Sequence, residues 1–461
     1  MPRFLRFAIA LTICVLTAQS SEAAPFTISG LGVNSNDFRI TTFASGLNYP
    51  YGMHMLSDGS LLVATSNPAG TSFFNSTGSL IRLVDANKDG IVDGPGATLY
   101  TAPTGTGSFT GVRAAGDLVA VMSTGQEISV LRVGANPGDP LTLEGSLNFT
   151  IPTDWEHVPS GLAIRETPGQ PGSYDLFFQL GSFDNNTETT ETATISGLVD
   201  GTLEGDSIYM VTITDNGTSV VGAGVTQIVN GVRNPAGIAF DPSTGDLCFE
   251  DNGIDTPGNR SEAFSADELN FLSATDIGGS VENFGFPDNY TEYRTGDVIG
   301  GSGTQPLVAF QPIPSPDGDE SEGAAEIAFA PAGFPDGLNN GIFVGFHGQF
   351  NLAGLDNEEN PLIYVDLDTL DYFHFIGVGE SGIGHLDGLL SAGNSLFIAD
   401  LSSNGSMGNG AGSGVIYQIT SRVPEPSIVS FCLLGLGAAA GLRLLRRGGG
   451  KNKSTPHLHV T

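Results

Sequence analysis

The stretch NPAGIAFDPSTGDLCFEDNG, residues 234–253, contains two short apolar runs joined by a polar turn. The first run, Gly-Ile-Ala-Phe, follows Pro-Ala, and the second, Leu-Cys-Phe, ends in acidic and small polar residues. Two β-type runs on either side of Asp, Ser and Gly are typical of a β-hairpin. Because the same pattern recurs along the chain, the way these hairpins assemble decides the fold.

Six copies of the pattern can be counted, and they begin near Pro50, Gly111, Pro159, Pro235, Gly323 and Gly384. Their spacing of roughly 50 to 90 residues is too uneven for a solenoid, which stacks near-identical units. Six hairpins with long, variable connections favour a β-propeller, in which each hairpin is the inner half of a four-stranded blade. We therefore predict an all-β, six-bladed β-propeller, with a pair of β-sandwiches as the alternative.

Two single β-type runs lie at opposite ends of this body, FRITTFA (residues 38–44) and SGVIYQIT (residues 413–420). A propeller is stable only when its first and last blades meet, and closure removes exposed strand edges. We expect these two runs to share one blade and to close the ring.

The composition excludes one class of function. The chain has 461 residues and a formal charge of −33, with 65 glycines and only 15% charged residues. Two of its 17 Lys and Arg lie in the first 23 residues and five lie after residue 442, which leaves ten, with Lys88 the only lysine. Nucleic acid binding is excluded because so few cations cannot neutralise phosphates. Cys14 and Cys432 lie in the terminal segments, so Cys248 has no partner for an internal disulfide.

The N-terminal residues have the pattern of a secretory signal peptide. Arg3 and Arg6 precede an apolar run, residues 7–18, and small residues follow at Ser21 and Ala23. This order predicts a signal peptide of residues 1–23 and an exported protein. A retained anchor helix is the alternative, although the apolar run is short for a membrane span.

The C-terminal residues resemble the PEP-CTERM sorting signal of Gram-negative bacteria. A Val-Pro-Glu-Pro tetrad (residues 423–426) precedes an apolar segment (residues 428–442) and an arginine cluster. The resemblance implies one C-terminal helix within residues 423–448, transient anchoring in the inner membrane, and cleavage by an exosortase. The basic polar tail is residues 449–461, and the mature propeller is residues 24–422, in the periplasm, at the cell surface or in the extracellular matrix. A plain tail anchor is the alternative.

A short acidic loop, DANKDGIVD (residues 85–93), has the spacing of a calcium loop. The predicted ligands, in order, are Asp85, Asn87, Asp89, the Ile91 carbonyl and Asp93. The twelfth position is glycine instead of the usual glutamate, and β-type runs flank the loop. The sequence therefore predicts a calcium-stapled hairpin of an outer blade, with a solvated acidic turn as the alternative.

The region around the opening stretch resembles a known family. GVRNPAGIAFD (residues 231–241), Glu250, ADELN (residues 266–270) and ENFGFP (residues 282–287) occur in the order found in the glucose/sorbosone dehydrogenase family. These proteins are six-bladed propellers that use pyrroloquinoline quinone (PQQ). The resemblance covers roughly residues 38–420. It implies oxidation of a sugar alcohol or aldehyde group, a small sugar-like substrate, and a second calcium site that includes Glu250 and Asp267.

Three residues carry the family's functional positions. The resemblance implies that His157 is the catalytic base that takes the hydroxyl proton. It implies that Arg233 and Asn234 bind the cofactor and substrate, with Arg233 also polarising the carbonyl that accepts hydride. In a six-bladed ring, all three should lie at the mouth of the central channel, with His157 and Arg233 facing one cavity.

The sequence departs from the family pattern at two places. The resemblance implies an aspartate after a glycine that orients the histidine; here that position reads Gly181–Ser182, with Asp184 two residues on. The segments expected to bind the three carboxylates of the quinone contain no Lys or Arg, although His347 and His385 lie in or beside them. A non-catalytic cell-surface propeller that binds a glycan or matrix partner is therefore the rival hypothesis.

Structural roles remain open for both candidate site residues. If their roles are structural, Arg233 pairs with a carboxylate such as Glu250 or Asp267. His157 is then a structural histidine whose ring nitrogens have hydrogen-bond partners within the fold.

Overall fold

The structure is a computed structural model that describes residues 24–67 and 72–422. The predicted signal peptide, the PEP-CTERM segment and the basic tail lie outside the described residues. Within the described ranges, no helix is both long enough and apolar enough to cross a membrane.

The described part of the chain is almost entirely β-structure. Its short 3₁₀ helices are Ser35–Asp37, Phe73–Asn75 and Gly354–Asp356. Its strands, numbered in chain order, are β1 Phe38–Leu47, β2 Met53–Met55, β3 Leu61–Asn67, β4 Thr77–Leu83, β5 Ala97–Thr101, β6 Phe109–Ala115, β7 Leu118–Ser123, β8 Glu127–Arg132, β9 Thr142–Thr150, β10 Leu162–Glu166, β11 Ser173–Leu180, β12 Thr192–Gly197, β13 Gly201–Glu204, β14 Ser207–Asp215, β15 Val220–Asn230, β16 Ile238–Phe240, β17 Leu247–Asp251, β18 Asp255–Thr256, β19 Asn259–Ala263, β20 Asp267–Leu272, β21 Glu282–Asn283, β22 Tyr290–Thr291, β23 Val298–Ile299, β24 Val308–Phe310, β25 Ala324–Phe329, β26 Gly341–Phe346, β27 Leu362–Asp366, β28 Tyr372–Ile376, β29 Gly388–Ala392, β30 Ser395–Asp400 and β31 Gly414–Ser421.

These strands form six antiparallel blades around a central channel. From the innermost strand outward, the blades are β2 to β5; β6 to β9; β10, β11, β14 and β15; β16, β17, β20 and β24; β25 to β28; and β29, β30, β31 and β1. Each innermost strand contacts the next, and β29 contacts β2, so the ring is closed. The six copies of the sequence pattern are the two inner strands of the six blades. The predicted six-bladed propeller is confirmed.

The two ends of the propeller domain pair in one blade, as predicted. Strand β1 is antiparallel to β31, with Phe38 opposite Ser421 and Leu47 opposite Gly414. The last blade therefore takes three strands from the end of the domain and one from its beginning.

The second strand of a blade has neighbouring blades on both faces. Its residues are therefore buried on both sides, and every residue of β7, β11, β17, β26 and β30 is buried. Phe177 of β11, for example, is fully buried and meets Phe240 of the next blade edge to face, with ring centroids 5.0 Å apart. Burying one such side chain stabilises the fold by about 1.5–3 kcal/mol.

The end of the ring at which the innermost strands begin is called the upper face here. The second strands end at this face, and several insertions lie there. A loop of residues 181–191 leads into the β12–β13 hairpin, which extends the second blade through β9. The small β18–β19 hairpin follows β17 in the fourth blade. These insertions supply contacts that surround the predicted site residues.

Candidate functional site

His157 and Arg233 lie on adjacent blades at the upper face, just before β10 and β16. The main chain of Ser182 joins them: its N–H donates to the Arg233 carbonyl (2.7 Å), and its carbonyl accepts from the His157 N–H (3.2 Å). A Cβ atom at Gly181 would lie 2.4 Å from the Arg233 oxygen and 2.7 Å from the His157 Cβ. The two main chains are in such close contact that only glycine fits between them.

The hydrogen bonds of His157 define its tautomer. Its Nδ1 lies 2.8 Å from Ser182 Oγ and 3.2 Å from the Ser182 carbonyl oxygen. Ser182 Oγ uses its own proton to donate to the Asp184 carbonyl (2.6 Å). Both neighbours of Nδ1 are therefore acceptors, so Nδ1 carries the proton and Nε2 carries the lone pair of the neutral ring. That is the tautomer a proton-abstracting base requires.

Ser182 occupies the place where the family resemblance implies an aspartate. It orients the imidazole of His157, as an aspartate would. It carries no charge, however, so it does not stabilise the imidazolium that forms when His157 takes a proton.

The Arg233 side chain is buried, and its guanidinium is bound by the upper-face insertions. Its Nε donates to the Asn185 carbonyl and its Nη2 to Asn185 Oδ1, both at 2.9 Å. Nη2 also forms an ion pair with Asp255 Oδ2 at 2.9 Å. A carboxylate partner was anticipated, but the identification of Glu250 or Asp267 was wrong. Asp255 takes this place because the β18 hairpin folds back over the arginine.

Asn234 forms part of the wall of the same site. Its side-chain Nδ2 donates to Asn252 Oδ1 at 2.9 Å. Its main-chain N–H and that of Arg233 both donate to the carboxylate of Asp251, at 2.6 to 3.0 Å. Burial raises the pKa of Asp251 to about 7 despite these donors. Asp251 therefore fixes the position of the Arg-Asn pair.

Glu250 and Asp267 are both buried and bind main-chain amides. Glu250 Oε1 accepts from the N–H groups of Ala236 and Gly237, at 2.5 and 2.6 Å. Asp267 accepts from Gly253 within its own blade and from Ala324 in the next blade. Burial raises the pKa of Asp267 to about 6 and that of Glu250 well above its usual range. The Asp267 contacts connect the fourth and fifth blades, and shared calcium binding by the two residues stays a prediction.

An ion pair crosses the central channel. Arg113 of β6 and Glu326 of β25 come from opposite blades, and the Arg113 guanidinium contacts the Glu326 carboxylate. The charge of Arg113 also acts on the pKa of the Tyr51 hydroxyl and of the His54 imidazole. Burial and the nearby Arg113 charge lower the pKa of His54 to about 4.

Two stacked histidines lie where the family resemblance implies cations. The rings of His347 and His385 are parallel within 3°, with centroids 3.9 Å apart. His347 Nδ1 lies 2.7 Å from Asp387 Oδ1, and burial together with His347 lowers the pKa of His385. The lowered pKa disfavours a positive charge on His385, and the Asp387 carboxylate lies beside His347.

The His347 ring continues into an exposed aromatic stack. Phe350 lies 5.5 Å from His347, and Phe74 stacks on Phe350 at 6.0 Å with 27° between the ring planes. Phe74 and Phe350 are each 54% exposed. We call Phe74, Phe350, His347 and His385 the aromatic ladder. It extends across the upper face from loops of the first, fifth and sixth blades.

The predicted calcium loop lies between β4 and β5, in the outer hairpin of the first blade. Asp85 accepts from the N–H groups of Asp89 (3.2 Å) and Gly90 (2.8 Å), and Asp93 accepts from Ala86 (2.6 Å). Gly90 has φ +81°, which the sharp bend requires. The other two predicted ligands, Asn87 and Ile91, lie in the same loop. The outer hairpin is confirmed, and calcium binding there stays a prediction.

Arg233 lines an open pocket at the upper face together with Asp251, Glu268 and Tyr290. Burial raises the pKa of Glu268 to about 8. The main chains of His157 and Arg233 lie side by side through Ser182, and a cavity shared by their side chains stays a prediction.

Several solved structures have the same fold as this chain. It matches the PQQ-bound aldose sugar dehydrogenase from Streptomyces coelicolor at 18% identity and a TM-score of 0.51, covering 83% of this chain and 98% of that one. It matches the calcium structure of the Trichoderma reesei Carbohydrate-Active Enzymes Family AA12 protein at 15% identity and TM-score 0.55 (87% and 99% covered). It matches the holo form of the pyranose dehydrogenase PQQ domain from Coprinopsis cinerea at 15% and 0.54 (87% and 98% covered). No protein-family model matches the sequence, and no curated protein matches it.

The side chains of this site do not fit a tightly held PQQ trianion. Arg233 and Arg113 are each already paired with a carboxylate, Asp255 and Glu326. Two stacked histidines lie where the resemblance implies further cations, and buried carboxylates lie around the site. An added trianion would meet a net negative environment, which opposes its binding.

Proposed function

We propose that this chain binds a neutral sugar or glycan at its upper face, as a sugar dehydrogenase-like propeller without a tight quinone site. The aromatic ladder is the observation that carries the proposal. Two half-exposed phenylalanines on separate loops stack on each other, although exposure of such rings to water is unfavourable. A binding surface for a partner with an apolar face accounts for this arrangement.

The chemistry of the surroundings favours a sugar as that partner. A pyranose ring has C–H faces that pack on aromatic rings and hydroxyls that need hydrogen-bond partners. Next to Phe350, Gln349 and the His347–Asp387 pair offer polar groups at the edge of the ladder. The acidic site also disfavours anionic ligands. Solved proteins of the same fold are sugar dehydrogenases, which supports this choice.

Binding of a panel of neutral oligosaccharides, measured by calorimetry, tests the proposal. Phe350→Ala should weaken binding about tenfold or more, since loss of about 1.4 kcal/mol of stacking corresponds to a factor of ten. Phe271, a 41% exposed phenylalanine on β20, supplies the matched control Phe271→Ala. Equal affinity of Phe350→Ala and wild type would rule out the ladder as the sugar site.

Oxidation of the bound sugar with PQQ and calcium is the second candidate function. The tautomer of His157 favours it, because Nε2 is held as the proton acceptor. We expect any such activity to need a large excess of PQQ, since Arg233 and Arg113 are already paired with carboxylates. Dye-linked oxidation of sugars with added PQQ and calcium is the measurement, and His157→Gln should abolish it. PQQ binding without turnover, or turnover that survives His157→Gln, would eliminate this candidate.

Export and surface sorting belong to the same proposal. The sequence of residues 1–23 and 423–448 supports signal-peptide removal, transient anchoring in the inner membrane and exosortase cleavage near Pro424 to Pro426. Mass spectrometry of the mature protein is the test. A mature chain that still ends at Thr461 would contradict sorting and favour a permanent anchor.

A further inference from the structure

Three glutamates at the upper face of the fifth blade lie unusually close together. Glu320 and Glu322 precede β25, and Glu359 precedes β27. One carboxylate oxygen from each lies within 4.8 Å of the others, and Glu322 and Glu359 are buried. The Glu322 main-chain N–H donates to the Glu359 carbonyl (3.4 Å), so the main chain itself holds the two segments together.

Among the described residues, positive charge near these glutamates is insufficient to balance them. Arg294 pairs with Glu320 at 2.5 Å, but it also pairs with Glu262 at 2.7 Å. Glu359 Oε1 accepts one hydrogen bond, from Gln349 Nε2 at 3.0 Å. Of the three carboxylates, Glu320 alone pairs with a described guanidinium, and it shares that guanidinium with Glu262.

An unpartnered oxygen lies in this group. Glu322 is only 7% exposed, and its Oε2 is buried without a hydrogen-bond partner among the described residues. A buried carboxylate oxygen without a partner costs the full desolvation of that atom, so such oxygens normally have a proton, a donor or a cation beside them. The position calls for a ligand with positive charge.

Burial and the neighbouring carboxylates shift the pKa values of these glutamates in the direction expected of a cation site without its ion. They raise the pKa of Glu322 to about 10 and that of Glu359 to about 8. In both cases burial is the largest cause; the hydrogen bond from Gln349 lowers the pKa of Glu359, and neighbouring carboxylates, Glu359 for Glu322 and Glu320 for Glu359, raise the two pKa values further. A bound divalent cation would reverse this effect and keep the carboxylates ionised.

We propose that Glu320, Glu322 and Glu359 bind a calcium ion. All three ligands are oxygens, which hard cations prefer over zinc-type nitrogen and sulfur sets. Oxygens bound to one calcium at about 2.3–2.6 Å lie at most about 4.6–5.2 Å apart, which accommodates the 4.8 Å limit of this cluster. The site is separate from the Asp85–Asp93 loop.

The ion would hold the Glu359 loop against the segment that enters β25. Gln349, which contacts Glu359, immediately precedes Phe350 of the aromatic ladder. Calcium would therefore order the loop that presents this ring. The calcium site itself is independent of the proposed sugar binding and is tested without any sugar.

Calcium binding to the full chain at pH 8, measured by calorimetry and by thermal unfolding, tests the proposal. The double variant Glu322→Gln/Glu359→Gln should lose one calcium equivalent and its share of the rise in Tm that calcium produces. In chelator, the same variant should unfold at or above the wild-type temperature, because it lacks two carboxyl groups whose burial beside each other destabilises the fold without an ion. Glu358→Gln removes an exposed charge next to Glu359 and should bind calcium like wild type.

Two results with the variants would overturn the proposal. One is an unchanged number of calcium equivalents in the double variant, and the other is an equal loss in Glu358→Gln. Should the double variant fail to fold, the single variant Glu322→Gln carries the same comparison. Magnesium binding without calcium binding would also contradict it, since the proposal commits to calcium.

Discussion

The ion pair between Arg113 and Glu326 offers a sharp test of the channel described above. Arg113→Met and Glu326→Gln each remove one partner with little change in volume. The side chains are 18% and 5% exposed, so the pair is largely buried. Removing one partner of a buried pair leaves an uncompensated charge, which typically costs about 3–5 kcal/mol.

The expected loss in free energy of unfolding can be converted to a change in Tm. A domain of about 400 residues has an unfolding entropy of about 0.8 kcal/mol/K near 60 °C. Each single variant should therefore lower Tm by about 4–6 °C. The double variant should be destabilised by at least about 2 kcal/mol less than the sum, because its second substitution removes a charge that is already unpaired.

Thermal unfolding of wild type, both single variants and the double variant completes the cycle. Arg113→Met should also raise the pKa of His54, because Arg113 is one of the two causes that lower it. An NMR titration of His54 separates this electrostatic effect from general loosening of the fold. Additive losses of stability, together with an unchanged His54 pKa, would refute the assignment of a coupled charge pair in the channel.

Three further predictions concern other parts of the molecule. Gly181→Ala should lower the free energy of unfolding in urea by about 1–3 kcal/mol, because its Cβ would overlap the Arg233 carbonyl. Gly377→Ala, with open space around its Cβ, is the control. Equal losses in the two variants would contradict the close contact at Gly181. Burial raises the pKa of Asp400 from 3.8 to about 7, so the folded state binds this proton more tightly than the unfolded state does. The free energy of unfolding should therefore fall by about 4 kcal/mol as pH rises from about 4 to above 7. Asp400→Asn should flatten that decline in Tm-versus-pH curves, and an unchanged decline would assign it to other groups. If the Asp85–Asp93 loop binds calcium, a chelator should still lower the Tm of the Glu322→Gln/Glu359→Gln variant. Adding Asp89→Ala should remove that shift. If the chelator leaves the Tm unchanged, calcium binding by the loop is refuted.

The fold was predictable because its signal is local and repeated. Each inner hairpin has apolar runs of the length and spacing that a blade requires, so six similar stretches such as residues 234–253 predicted six blades. The pairing of β1 with β31 followed from closure of the ring. Neither step needed knowledge of a specific tertiary contact.

The candidate site was harder to predict because its partners come from insertions. Asn185 and Asp255 bind Arg233 from a loop and a short hairpin whose sequences have no recurring pattern. Ser182 could have been anticipated as the partner of His157 from its position after Gly181. The ion pair of Arg113 with Glu326 joins residues 213 positions apart, and no repeating pattern in the sequence indicates such a contact.

The pairing of β1 with β31 also fixes the orientation of the molecule relative to anything attached at its C-terminal side. Strand β31 begins at the upper face with Gly414 and runs away from it, so Ser421 lies opposite Phe38 at the other end of the blade. The described chain therefore leaves the propeller at the face remote from the aromatic ladder. With the C-terminal segment held at a membrane, as proposed, the ladder would point outward, toward ligands in the surrounding medium.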